Sequence, residues 1–410
     1  MKIIHVTHCY HPSQGGVQWF FKNISERLVK DYGDDVTVVT TDSMYGPERL
    51  MYKKIEPSTE EINGVKVLRF SYSRLHIKPL KLMIKALHKL KIKVPETFLI
   101  KLYGPLSASM KRYLLDRNVD AICGSSSNYY YMQLPLWKAC KFFYFGSIHL
   151  DEDSKHPVLS KIQKKSIEAS TLYIANTYFE KQQITSAGIA PGTIKVIGVG
   201  VNEHQFDVDP NEVETYRSSL HIESDAIVIA YAGRIERTKN VKLLVDAFAT
   251  LSLNHSNLYL LIAGAGGKYA NELKEYANQL PGSVKNKIRW KIDFDTAEKA
   301  SIFHSMDILV LPSSNESFGI VFLEAWVCKK PVIGTAIGAV KDVISENEDG
   351  LLMEVNNENS LCEKLSILIS NNELRKSMGE FGYRKVMENY TWDIITKKMR
   401  ECYLGNYTGN

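Results

Sequence analysis

The chain has 410 residues, 44% hydrophobic and 24% charged, with a formal net charge of +5. That length is too great for one ordinary core and points to two domains of a globular protein. So mild a charge excludes a generally polybasic binder unless the cations cluster locally.

Six scattered cysteines (Cys9, Cys123, Cys140, Cys328, Cys362, Cys402) form no CxxC pair, which argues against a disulfide framework or zinc site and fits a reducing compartment. The opening MKIIHVTHCYHP lacks the apolar core of a signal peptide and reads as a strand. No run approaches the roughly 18 apolar residues that span a bilayer, so a cytoplasmic chain is expected.

In chain order, apolar β-branched runs alternate with helix-length amphipathic stretches. Strands are predicted at 2–7, 35–41, 65–70, 119–124, 142–148, 171–176 and 194–198. After the polar stretch 201–225 they resume at 226–233, 258–264, 287–292, 307–312 and 331–334. Such alternation implies α/β architecture with buried parallel sheets, and crossover handedness makes each half a Rossmann-like, doubly wound domain. The expected division is an acceptor-binding domain over 1–203, a second domain over 204–388, and a helix over 389–410 crossing back to the first. Ligands of such folds bind at the carboxyl ends of the strands, here across a cleft between two facing domains.

Gly15 and Gly16 stand where the first strand gives way to a helix, either to let backbone approach a phosphate or simply to make a tight turn. The pattern is not GxGxxG, so a dinucleotide is not indicated. His149 ends a strand, where it would be placed to orient a substrate group; alone, it is one histidine among eleven. In AGRIERTKN, Arg234 follows a strand and Lys239 lies near the next helix start, a cation pair suited to a diphosphate.

The stretch NESFGIVFLE, 315–324, follows a strand closed by Pro312, and a helix is expected to start near 317–319. Its free N–H groups would offer an anion site, with Glu316 before the helix and Glu324 about five residues inside it. That spread suits one long ligand: sugar at Glu316, phosphate at the helix start, ribose at Glu324. A glycosidase pair would have to flank a single bond, which this layout does not favour.

These residues resemble the retaining glycosyltransferases of family 4, whose fold is the two-domain GT-B arrangement. The similarity runs along nearly the whole chain and is strongest over 226–355. It implies a nucleotide diphosphate sugar as donor, UDP- or GDP-linked with UDP preferred, and catalytic roles for His149, Arg234, Lys239 and Glu316. Donor contacts would come from Gly15, Gly16, Arg234, Lys239, Glu316, Ser317, Phe318, Gly319, Ile320, Val321 and Glu324, and the base pocket from Ile292 and Asp293. The chain departs from the family pattern at Asn240 and Ile292, where glycine is common, and at the hinge, which reads IGVG (197–200). The resemblance implies same-face displacement with no cofactor and no metal. Three DxD matches, at 151–153, 207–209 and 293–295, would suit a metal-dependent transferase, and their number shows how cheap that pattern is. A nucleotide-sugar isomerase and a non-catalytic sugar-nucleotide binder are the alternatives.

Residues 73–101 hold eight Lys or Arg and one acid, Glu96. Lys78, Lys81, Lys85 and Lys89 recur at helical spacing, with Leu80, Ile84 and Leu87 on a neighbouring face. The pattern suits an anionic membrane surface, and hence a lipid-linked glycan acceptor at the inner membrane face; the alternative is a solvated helix. Nucleic acid is not expected, since no aromatics interleave with the cations.

Overall fold

The computed structural model describes residues 1–13, 15–44, 53–125, 130–146 and 158–408. Contacts divide the chain into two compact units, Met1–Val199 with Trp392–Asn410, and Gly200–Thr391.

The first unit contains β1 (Lys2–Val6), helix α1 (Gly16–Tyr32), β2 (Asp35–Thr41), β3 (Thr59–Ile62), β4 (Val65–Phe70), α2 (Ile77–Lys89), α3 (Glu96–Tyr103), β5 (Ala121–Ser125), β6 (Phe142–Phe145), β7 (Leu172–Ala175) and β8 (Ile194–Val196). The sheet order is β3-β4-β2-β1-β5-β6-β7-β8. All neighbours pair in parallel except β3 and β4. Periodicity misses β3 because TEEI is a charged edge strand with little apolar signal. Its turn is a two-residue Asn63-Gly64 link with φ of 48° and 81°, the left-handed pair a tight hairpin requires.

Helix α1 buries Phe20, Phe21, Ile24 and Leu28 and stops at left-handed Gly33, whose N–H caps the Leu28 and Val29 carbonyls. Against it packs the C-terminal helix Trp392–Leu404, with the Trp392 ring 5.8 Å from Phe20. Buried Asp34 holds that helix too, accepting from Arg400 Nε at 2.8 Å and from the chain's amino terminus at 2.6 Å. Deep in the same core, His5 sits between Ser25 Oγ at 2.7 Å and Tyr403 Oη at 3.1 Å, and burial pushes its pKa down to about 3.

The basic stretch folds as α2 and α3, but the apolar face read from the spacing, with Leu80 and Ile84, is not free. Leu80 and Ile84 turn inward with Ile77 against Leu102, Phe98 and Leu99. They form the contact between the two helices and are not a free apolar stripe.

The second unit contains β9 (Ile227–Ala232), β10 (Leu258–Gly264), β11 (Ile288–Ile292), β12 (Ile308–Leu311), β13 (Val332–Thr335) and β14 (Gly350–Met353), ordered β11-β10-β9-β12-β13-β14 and parallel throughout. Strands β9 to β11 are laid down outward on one side, then the chain returns to place β12 beside β9. That reversal, between β9 and β12, is the topological switch point at which ligands enter open α/β sheets. Helix Ile320–Val327, which follows β12, is braced by Asn372–Asn389 at two glycines. A Cβ on Gly382 would lie 2.0 Å from Trp326, and one on Gly379 would lie 1.9 Å from the Lys329 carbonyl oxygen.

Candidate functional site

The switch point positions the charged residues singled out in the second unit. Strand β9 runs into Gly233 and Arg234, and β12 into Pro312 and the turn 313–316. Backbone closure here depends on glycine. A Cβ on Gly264, at the end of β10, would fall 1.6 Å from the Gly233 carbonyl oxygen. Gly233 N–H also donates to Ala263 O at 3.0 Å, and Ile235 N–H to Ala265 O at 3.1 Å, so the two strand ends are laced together.

Lys239 does not open a helix, as the sequence led us to expect. It closes a single 3-10 turn, Arg237–Lys239, before helix Val241–Ser252. Between them Asn240 is left-handed, at φ 52°. Asparagine tolerates that conformation best after glycine, which explains how it stands where family members carry glycine. The turn 313–316 is stitched to this one by Ser314, whose N–H and Oγ each lie 3.1 Å from the Thr238 carbonyl oxygen. The stitch puts Lys239 Nζ 2.5 Å from Glu316 Oε1, a carboxylate that also accepts from Ser313 Oγ at 3.2 Å. Behind them, buried Tyr231 donates to Arg234 O at 2.6 Å; burial and the Glu316 charge push its phenol pKa up. The Arg234 guanidinium is exposed and pairs with Glu236 at 2.7 Å.

The helix begins at Ile320, later than expected, because Gly319 adopts φ 82° and caps it. Ser317, Phe318 and Gly319 therefore belong to the approach loop, and Ile320 and Val321 to the first turn. The Phe318 side chain is buried, edge-on to Tyr390 at 5.8 Å, so Phe318 presents backbone and not its ring. Glu324, fifth in the helix, accepts from Lys299 Nζ at 2.6 Å. Local pattern gives no sign of Lys299, which lies 25 residues away on another helix, Lys299–Ser305. Asn315 was also missed; its buried Oδ1 has no hydrogen-bond partner and sits next to Glu316.

At the end of β11, Asp293 takes the left-handed position, φ 53°, and its Oδ1 accepts from Gly266 N–H at 2.8 Å. Ile292 closes on Gly266, where a Cβ would lie 2.5 Å from the isoleucine Cγ2.

Gly15 and Gly16 lie in the other unit, at the start of α1. Gly15 is extended and a Cβ there would meet Gln18 Oε1 at 2.4 Å, whereas Gly16 has open space around it. His149 and the 151–153 DxD match fall outside the described residues. In the other two matches, Asp209 caps helix Pro210–Ser219 through Asn211 N–H at 2.8 Å, and Asp295 caps the 3-10 turn Thr296–Glu298 through Ala297 N–H at 3.2 Å. Among the described residues, no group of three or more His, Cys, Asp or Glu is arranged to hold a metal.

Residues 212–385 match the model of the family described as glycosyl transferases group 1. An uncharacterized glycosyltransferase of Methanocaldococcus jannaschii is 27% identical over 98% of each chain. Sucrose-phosphate synthase of Thermosynechococcus elongatus superposes with a TM-score of 0.75 at 17% identity, covering 98% of both chains. Anabaena HepE, solved in complex with UDP and glucose, superposes with a TM-score of 0.71 at 15% identity over 99% of this chain and 100% of its own. The chain thus has the two-unit GT-B fold of these solved structures, and its second unit carries a glycosyl transferases group 1 domain over residues 212–385.

Proposed function

We propose that the chain moves a hexose-type sugar from a nucleoside diphosphate sugar, preferably UDP-linked, to an acceptor hydroxyl, with retention of configuration and without a divalent metal. The observation that carries this reading is the pairing of Lys239 with Glu316 beside the start of helix Ile320–Val327. One cation for a diphosphate and one carboxylate for sugar hydroxyls are held side by side where backbone N–H groups emerge.

In this mechanism Arg234 and Lys239 neutralise the diphosphate, helped by the amides of Ile320 and Val321, and Glu316 accepts hydrogen bonds from the sugar hydroxyls. Glu324 receives the ribose, while Ile292 and Asp293 face the base. His149 is assigned to the transferred sugar on the resemblance alone. The bond from the anomeric carbon to the diphosphate oxygen breaks as the acceptor oxygen bonds on the same face. The acceptor proton passes to the departing diphosphate. The protein's contribution is fixed positive charge where negative charge grows, worth about 3–4 kcal/mol for a single well-placed donor in related oxyanion sites. UDP bound to the structural relative HepE supports a uridine nucleotide.

The test is a thermal-shift screen of nucleoside diphosphates and their sugars, followed by transfer assays with chelator present and NMR of the product anomer. Stabilisation by UDP-sugars, retained configuration and activity in EDTA are expected, and Arg234→Ala should lose transfer while keeping its fold. Product formed without acceptor would replace transfer by isomerisation, and inversion or chelator sensitivity would overturn the mechanism.

A further inference from the structure

Helix α2 has three faces. At about 100° per residue, Ile77, Leu80 and Ile84 cluster on the side packed against α3. Lys78, Lys85 and Lys89 fall within about 40° of one another on the exposed side. Beside that stripe lies an apolar one: Leu82 is 71% exposed and Leu90 67%, with Ala86 between them. Leu75 and Ile92, just beyond the two ends of the helix, are also exposed, at 90% and 51%, as are Lys91 and Lys93. The one acid of the segment, Glu96, is engaged elsewhere, accepting from Ser160 Oγ and from the Ile162 N–H at 2.7 Å. It leaves these lysines without a neutralising charge in their own segment.

Large leucines standing free in water are costly, and a lysine row alongside them marks the interfacial geometry in which leucines enter the acyl boundary while ammonium groups meet lipid headgroups. We infer that the exposed face of α2, with Leu75, Leu82, Leu90 and the flanking lysines, docks on an anionic lipid bilayer. This deepens the proposed function by placing transfer at a lipid surface, where a lipid-linked acceptor would be presented, and rests on that reading only for the acceptor. A free phosphate or nucleic-acid partner would use the lysines and have no use for the leucines. A bilayer uses both.

The experiment is co-sedimentation of the full chain with vesicles of phosphatidylcholine alone or with about a third phosphatidylglycerol. Wild type should bind the anionic vesicles and release with salt. Each lysine near such a surface contributes about fivefold, so Lys78→Gln/Lys85→Gln/Lys89→Gln together should lower partitioning about a hundredfold. Leu82→Ser/Leu90→Ser should also lower binding, and should do so at low salt, where a purely electrostatic patch would be indifferent. Circular dichroism and UDP affinity, expected unchanged in both variants, separate loss of docking from loss of the fold or the donor site. No binding by wild type, or binding unaltered by the leucine variant, overturns the inference. So does a shift in oligomeric state with the leucine change and no vesicle binding, which would assign the face to a second copy of the chain. None of these results touches the glycosyltransferase reading, which stands or falls on donor binding.

Discussion

The Lys239–Glu316 pair sets up a competition that a single substitution exposes. The two side chains are 17% and 13% exposed, so water screens their attraction only in part. In surroundings of effective dielectric near 20, opposite charges at about 4 Å attract by roughly 4 kcal/mol, most of it offset by the desolvation of both groups. A net value of about 1–2 kcal/mol is reasonable, which a diphosphate must overcome, or share, when it takes the Lys239 ammonium. Glu316→Gln keeps the shape and removes the charge. It should tighten UDP binding about 5- to 30-fold, because Lys239 is released and the carboxylate no longer repels the phosphates. The same variant should lose transfer about 100-fold or more, since a neutral amide accepts the sugar hydroxyls more weakly. Isothermal titration with UDP, beside transfer rates under saturating donor, measures the two effects independently. Weaker UDP binding by Glu316→Gln in a folded protein would refute the reasoning, because the carboxylate would then not be a rival of the diphosphate for Lys239.

Lys299→Ala leaves Glu324 without its ammonium partner, and if Lys299 orients that carboxylate toward a ribose, affinity should fall at least fivefold for UDP but little for 2′,3′-dideoxy-UDP. Equal losses for both ligands, in parallel calorimetric titrations, would make Lys299 purely structural. His5 is held neutral in the fold, its pKa near 3 lying below its ordinary value, so the folded chain binds fewer protons than the unfolded one between these limits. The resulting stability is present above about pH 6.5 and drains away as pH falls toward about 3. Urea midpoints across that window should slope less steeply with pH in His5→Gln than in wild type, and identical slopes would count against the assignment. Gly264→Ala places a methyl where the Gly233 carbonyl oxygen already sits, at a backbone φ of 154°, and should cost at least about 3 kcal/mol by urea denaturation. A midpoint like that of wild type would show that the strand ends separate easily.

The sequence by itself determined the α/β class, the parallel sheets and most strand positions, because buried parallel strands are long enough in apolar, β-branched residues to stand out locally. It missed β3, whose TEEI is half charged, and β14, whose GLLM has no β-branched residue. It also drew attention to Glu316 and Glu324, since a strand, a polar turn and a helix start share one short stretch. Tertiary structure alone decided which groups meet them. Lys239 lies 77 residues from Glu316 and Lys299 lies 25 from Glu324, and no periodicity carries information over such separations. The sheet reversal between β9 and β12 is what brings the first pair together. The face of α2 was decided in the same way: spacing shows that leucines and lysines occupy separate stripes, but only packing against α3 shows which leucines are buried inside and which stay exposed.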